Sequence, residues 1–333
     1  MALGGGRVMS DRYARQMVLP EIGGAGQARL AAARVLVVGA GGLGSPVLAT
    51  LAGAGVGHLT VFDHDRVEES NLHRQPLYRM ADIGRHKVDA ARDALLAANP
   101  EIGVEALSQR LAVAEAAALV GGHDLVLDCA DSLAVAYVLS DACRDVGKPL
   151  ISASVLGLSG YVGAFCAGAP SYRAVFPDMP STVGSCAANG VLGSAVAVLG
   201  SLQAHMALQL LLGLEPSPLG RLISVDLRTL VFGGFGFLGV EEPAAAPIPF
   251  IGHDEVTADD LVVELRGVEE APEPVQADAL RLAPAEIAAD PALVPVGRRV
   301  VLCCASGVRA HRAARLLAEH GARDLAVLAL SLG

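Results

Sequence analysis

From Arg34 to about Ser154 the chain alternates apolar, β-branched runs with helical ones: "RVLVVGA", "SPVLATLAGAG", "HLTVFDHD", "KVDAARDALLAANP", "DLVLDCAD", "AYVLSDACRDVG" and "PLISAS". That is βαβαβαβ, and it predicts an α/β fold built on a Rossmann-like, doubly wound, mostly parallel sheet. Composition agrees: 53% of residues are hydrophobic but only 4% aromatic, with no Trp, so the core is mostly Ala, Val and Leu, which suits helices packed on a sheet. The 333 residues exceed the roughly 250–300 at which one core stops growing, so a large and a small domain are expected. The boundaries follow from composition. Residues 1–239 form the large domain, the Pro- and Ala-rich "VEEPAAAPIPFIGHDE" of 240–255 reads as a linker, and 256–333 form a smaller α/β unit.

The first strand runs into Gly39-x-Gly41-x-x-Gly44. Gly39 permits a tight turn, Gly41 and Gly42 let backbone N–H groups approach phosphate oxygens, and Gly44 lets the next helix pack close with its positive end toward the anion. Asp63, closing the next strand, is placed to hold ribose hydroxyls. This much fits NAD as well as ATP. No GxxxxGK[ST] loop is present.

The residues beyond Asp63 separate the two readings. "HDRVEESNLHRQPLY" brings Arg74, and Lys87 opens the helix in "DIGRHKVDAARDALL". A dehydrogenase needs no pair of cations at the far end of its cofactor, whereas cleavage of a triphosphate must neutralise charge building on the departing oxygens. Asp131, after "LVLDCA", lies at the carboxyl edge of a central strand, where one carboxylate with substrate phosphates commonly holds Mg²⁺. A nicotinamide-dependent oxidoreductase and a non-catalytic module that binds a partner protein stay as alternatives.

The formal charge of −10 argues against nucleic acid and anionic membrane as partners. Six cysteines, two of them the adjacent Cys303 and Cys304, do not make a disulfide framework, and "MALGGGRVMS" has no apolar core of a secretory signal, so a reducing, cytoplasmic setting is expected. Gly190 to Gly213 is long enough to cross a bilayer. Ser194, Ser201, Gln203, His205 and Gln209 interrupt it without flanking Lys or Arg, so it reads as a buried helix at a subunit interface.

"DRYARQMVLPEIGGAGQARLAAARVLVVGAGGLG", "LTVFDHDRVEESNLHRQ", "IGRHKVDAAR", "DLVLDCADS" and "GSCAANGVLG", in this order, resemble the MoeB/ThiF family over roughly residues 10–235. The resemblance implies a homodimer that uses Mg·ATP to adenylylate the C-terminal Gly-Gly carboxylate of a ubiquitin-like sulfur-carrier protein, releasing pyrophosphate. It places Gly39, Gly41, Gly42, Gly44 and Asp63 at the nucleotide, with Ser70, Asn71, Arg74, Gln75 and Ser132 around it. Arg74 and Lys87 would act on the transition state, Asp131 would hold Mg²⁺, and Arg15 would reach the neighbouring subunit's triphosphate. Cys186 stands where family members have a loop cysteine that can bond covalently to the carrier. Many members carry a zinc on two CxxC pairs, the first in "CYRC". Here that segment is "SYRA", Ser171 to Ala174, with no second pair, so zinc is not expected.

In "VVLCCASGVRAHRAARLLAEHG" a strand ends at Cys304, a short loop closes at Arg309, and an amphipathic helix follows. Loop N–H groups and a helix start favour a thiolate nucleophile. With "LVVELR" upstream, this is similar to the rhodanese family, short at about 80 residues and with Glu264 where Asp is usual. The resemblance implies that Cys304 takes a persulfide sulfur from a donor and delivers it to the carrier as a thiocarboxylate.

Overall fold

A computed structural model describes residues 11–180, 190–244, 246–330 and 332. Two short helices, α1 (Ala14–Met17) and α2 (Gly23–Ala32), lead into β1 (Arg34–Val38), α3 (Gly44–Ala54), β2 (His58–Phe62), α4 (Lys87–Ala98) and β3 (Gly103–Leu107). Then come α5 (Val113–Gly121), β4 (Leu125–Asp128), α6 (Leu133–Val146) and β5 (Leu150–Leu156). The chain returns through β6 (Ser159–Phe165), α7 (Tyr172–Val175), α8 (Gly193–Leu212), β7 (Arg221–Asp226) and β8 (Val231–Gly236). These strands make one sheet ordered β3-β2-β1-β4-β5-β6-β7-β8, parallel as far as β5 and antiparallel from there on.

Both faces of the sheet are covered, which is why Val35 to Val37 and Leu125 to Leu127 are apolar at every position rather than at alternate ones. α3, α4 and α8 pack on one face, α5 and α6 on the other. The chain steps from β1 outward to β2 and β3, then crosses back to β4, so the crevice beyond β1 and β4 is the sheet's switch point, where such folds take ligands.

α8 is the helix that length and composition would allow in a bilayer, and half of it is buried here. Its polar residues have work inside the protein. Gln203, fully buried, donates to Asp128 O at 2.7 Å and Ile151 O at 3.0 Å, tying α8 to the ends of β4 and the middle of the sheet.

A second, wholly parallel sheet is ordered β11-β10-β12-β13-β9. It comprises β9 (Phe250–Ile251), β10 (Leu261–Glu264), β11 (Leu280–Arg281), β12 (Val300–Cys304) and β13 (Leu325–Ala329), with helices α9 (Pro284–Ala289) and α10 (Val308–Glu319). The span 240–255 is therefore not all linker: β9 lies within it and pairs with β13 at the sheet's edge. Its Pro neighbours concealed it, because Pro is compatible with an edge strand yet reads as a strand breaker.

The two units share one apolar cluster, running from α5 and α6 into β10, β12 and α10. Arg173, 4% exposed, sits at their junction. Its guanidinium forks onto Asp141 at 2.8 Å through both Nε and a terminal nitrogen, and lies 4.7 Å from the Tyr137 ring centre and 5.9 Å from that of Phe250. Removing one partner of such a pair strands the other charge, so Arg173→Ala is expected to cost about 3 kcal/mol in urea unfolding. A loss below about 1 kcal/mol would mean that the junction is not held there.

Candidate functional site

At the carboxyl ends of β1, β2 and β4 the switch-point crevice opens into a cavity of about 670 Å³. Gly39, Gly41 and Gly42 line it beneath β1; Asp63, Asn71, Arg74, Gln75 and Lys87 line the β2 side; Asp128, Asp131 and Ser132 line the β4 side. The cavity continues past Tyr137, Tyr161, Tyr172, Phe176 and Asp178 to an aromatic far end beside β5 and β6.

The glycine loop is held from outside by side chains. Gly39 has φ +99°, and a Cβ there would lie 2.6 Å from the carbonyl of Cys129, so the position needs glycine. A Cβ on Gly42 would meet Val196 at 2.8 Å. Asp63 Oδ2 accepts from Ala40 N at 2.7 Å and Oδ1 from Asp65 N at 2.7 Å. Each carboxylate oxygen keeps a second lone pair for a ribose hydroxyl, so Asp63 shapes the loop and remains able to bind. Tyr78, which carried no signal in the sequence, donates its hydroxyl to Ala40 O at 2.6 Å.

Lys87 begins α4, with its side chain 7% exposed and 2.7 Å from Asp65. Burial alone would raise the Asp65 carboxyl, but the Lys87 ammonium, with smaller contributions from His64 and Arg110, more than offsets it and holds that carboxyl below its usual range. Arg74 donates to Ser70 O at 3.0 Å and reaches the cavity wall. Gln75 is 3% exposed, and its Oε1 is buried with no partner, as expected of a group built to meet a ligand. Glycines with open backbone, two cations and an orphaned amide oxygen fit a nucleoside triphosphate. Asp131, exposed on the β4 side of the same cavity, offers the hard carboxylate oxygen that Mg²⁺ takes beside phosphates.

Some residues singled out from the sequence lie elsewhere. Ser70 is exposed and turned to Glu68 at 3.1 Å, because in the turn Glu69–Asn71 it is Asn71 that faces inward. Gly44 packs against the loop rather than lining the cavity. Arg15 is exposed on α1 and does not reach this chain's cavity. Cys186 lies outside the described residues. Cys304 and Arg309 belong to the second unit. There Cys304 is fully buried, Ala310 N donates to its sulfur at 3.4 Å, and Arg309 pairs with Glu270 at 2.8 Å. Ser171, in the segment compared with "CYRC", caps α7 and binds the Glu242 carboxylate through its N–H at 2.6 Å and its hydroxyl at 2.7 Å.

Asp128 also lines the cavity, and nothing in the sequence marked it. It is 2% exposed, accepts from Ser152 Oγ at 2.7 Å and Ala130 N at 3.2 Å, and burial raises its carboxyl to about 7. The folded state holds this proton at pH values where the unfolded chain, titrating near about 4, has released it, so stability falls as pH rises from about 4 to about 7. Asp128→Asn is expected to flatten that slope and raise stability near neutrality by a few kcal/mol, read from urea midpoints between pH 5 and 8. An unchanged slope would place the titration elsewhere.

A doubly wound sheet with a glycine loop after β1, a carboxylate at the end of β2 and two cations at its switch point defines a protein of the Rossmann-like class. The ThiF family model matches residues 13–236, and the chain belongs to that family. The adenylyltransferase and sulfurtransferase MOCS3 of Bos taurus is 49% identical over 218 residues, 65% of this chain and 48% of that one. The sulfur carrier protein adenylyltransferase of Thermus thermophilus is 45% identical over 224 residues, 65% of this chain and 83% of the relative. The chain spans about half the length of relatives such as MOCS3. The crystal structure of E. coli MccB with ATP superposes with a TM-score of 0.62 at 21% identity, over 72% of this chain and 74% of that one, a likeness of fold.

Proposed function

We propose that the cavity adenylylates the C-terminal carboxylate of a ubiquitin-like sulfur-carrier protein ending in Gly-Gly. The carboxylate attacks the α-phosphate of ATP, the bond to the β-phosphate breaks, and pyrophosphate leaves. The observation that carries this reading is that Lys87 and Arg74 line the same cavity as the glycine loop and Asp63, so the site gathers cations in the space a triphosphate would occupy. A nicotinamide site has no use for them. Gly41 and Gly42 present backbone N–H groups to phosphates, Asp63 orients the ribose, and Lys87 and Arg74 stabilise charge on the departing pyrophosphate. Asp131 is placed to hold Mg²⁺, which when bound neutralises part of the triphosphate's charge.

The same reading includes a homodimer. Leu230, Val231, Phe232 and Phe235 are 54–74% exposed in and beside β8, and Phe232 with Ala197, Val198, Ser201 and Leu202 of α8 lines an apolar groove that a second copy would cover. Arg15, exposed on α1, would then serve the neighbouring cavity.

The second unit would supply sulfur as a rhodanese-like module. A persulfide sulfur on Cys304 displaces AMP from the acyl-adenylate to give an acyl disulfide. A second thiol, for which Cys186 is the candidate, then attacks the Cys304 sulfur; the S–S bond to the acyl group breaks, the thiocarboxylate leaves, and the disulfide left between the two thiols is reduced by an external thiol. Cys304→Ser is therefore expected to abolish the sulfur-for-oxygen mass gain at the carrier terminus while pyrophosphate exchange continues. Retention of the mass gain would assign the sulfur step to another group. The name of the Thermus relative supports the carrier as substrate.

A further inference from the structure

The second unit does not merely lie next to the first; it braces the wall of the cavity. His311 of α10 is 2% exposed, with its ring 5.7 Å from that of Tyr137 and stacked on Phe250 at 6.1 Å with 8° between planes. Tyr137 lines the cavity and donates its hydroxyl to Phe176 O at 2.6 Å, while Phe176 and Asp178 line it too. Four residues further along α10, and so on the same helix face, Arg315 pairs with Asp178 at 3.0 Å. One face of α10 thus holds both the residue that fixes Phe176 and the carboxylate two positions beyond it.

These contacts fall at the aromatic end of the cavity, away from Gly39, Asp63 and Lys87. With a nucleotide on the glycine loop, this is the end left for the acyl donor. We infer that His311 and Arg315 are positioning residues for the carboxylate substrate: the docked second unit shapes the wall that receives the carrier's terminal peptide. The inference rests on the adenylylating reading for its substrate. It also means that a module whose own chemistry is sulfur transfer has a second task in the preceding step.

The test uses the full chain and a carrier protein ending in Gly-Gly, with two readouts: steady-state pyrophosphate–ATP exchange, and amide hydrogen exchange of residues 172–180. An exposed ion pair contributes at most about five-fold, so Arg315→Asp is expected to raise the carrier KM about five-fold while kcat and the ATP KM stay within about two-fold. The double variant Arg315→Asp, Asp178→Arg should bring the carrier KM back toward the unaltered value. His311→Leu, which removes the ring system's polar edge and stacking, should raise the same KM and speed amide exchange in 172–180. A purely structural role would lower stability without a selective change in carrier KM. An unchanged carrier KM in both Arg315→Asp and His311→Leu overturns the inference. Should the unaltered chain show no exchange with any carrier, the adenylylating reading fails; faster amide exchange in 172–180 on Arg315→Asp would still support the bracing contact, and unchanged amide exchange would overturn it.

Discussion

Lys87→Ala is expected to slow carrier-dependent exchange of pyrophosphate into ATP by about 10²–10³-fold, the usual loss when one preorganised group facing transition-state charge is removed. The ammonium is almost enclosed, with its side chain 7% exposed, so its field on a phosphate is less screened than that of a surface lysine. It also stands at the first turn of α4, where the helix's own positive end faces the same anion. Asp65 pairs with it at 2.7 Å and stabilises this otherwise unfavourable gathering of positive charge until phosphate arrives. Because the Asp65 side chain is 53% exposed, losing the pair should change stability by no more than about 1 kcal/mol, and a folded, inactive variant is the expected result. Carrier binding measured directly should be nearly intact. If exchange persists within about ten-fold of the unaltered rate, Lys87 does not face the leaving group and a binding-module reading gains ground.

Gly44→Ala is expected to cost more than about 4 kcal/mol and to leave little folded protein, a loss reserved for changes that force backbone apart. A Cβ at Gly44 would lie 2.0 Å from Gly39 O, which is main chain and cannot swing aside as a side-chain tip would. The strand end and the start of α3 approach so closely because the loop between them must turn its N–H groups outward. Gly53, in the same helix, is the contrast: it is exposed with nothing within 4 Å of an added Cβ, and Gly53→Ala should stabilise by up to about 1 kcal/mol. Comparable circular dichroism and urea midpoints for the two variants would show that the close approach at Gly44 is not a constraint.

The parallel half of the large sheet was readable because its signal is local: fully apolar strands of about five residues, separated by helical runs, admit one arrangement. That Gly39, Asp63, Lys87 and Asp131 come to line one cavity follows from the same local pattern, since each sits just after a strand or at a helix start that the pattern already marks. Asp128 was not, although it lies three residues from Asp131. Its partner Ser152 is on β5, and only the register pairing Asp128 with Ser152 brings them together. Tyr78 and Gln203 act through contacts 38 and 75 residues away, which no spacing rule reports. Of the adjacent pair Ser70 and Asn71 only Asn71 lines the cavity, a difference set by a single turn that no sequence pattern reports. The junction of Arg173, Tyr137, Phe250 and His311 draws on both units, and a Pro-flanked strand of two residues, β9, completes it.

Carboxylate adenylylation is tested most directly by isotope exchange between labelled pyrophosphate and ATP, run with a carrier ending in Gly-Gly and with the same carrier whose terminal carboxylate is blocked as an amide. Exchange is predicted with the free carboxylate and none with the amide, because reversal of the first step needs the acyl-adenylate. Exchange that ignores the carboxylate, or its absence with every such carrier while NAD binds in the cavity, would contradict an adenylylating site.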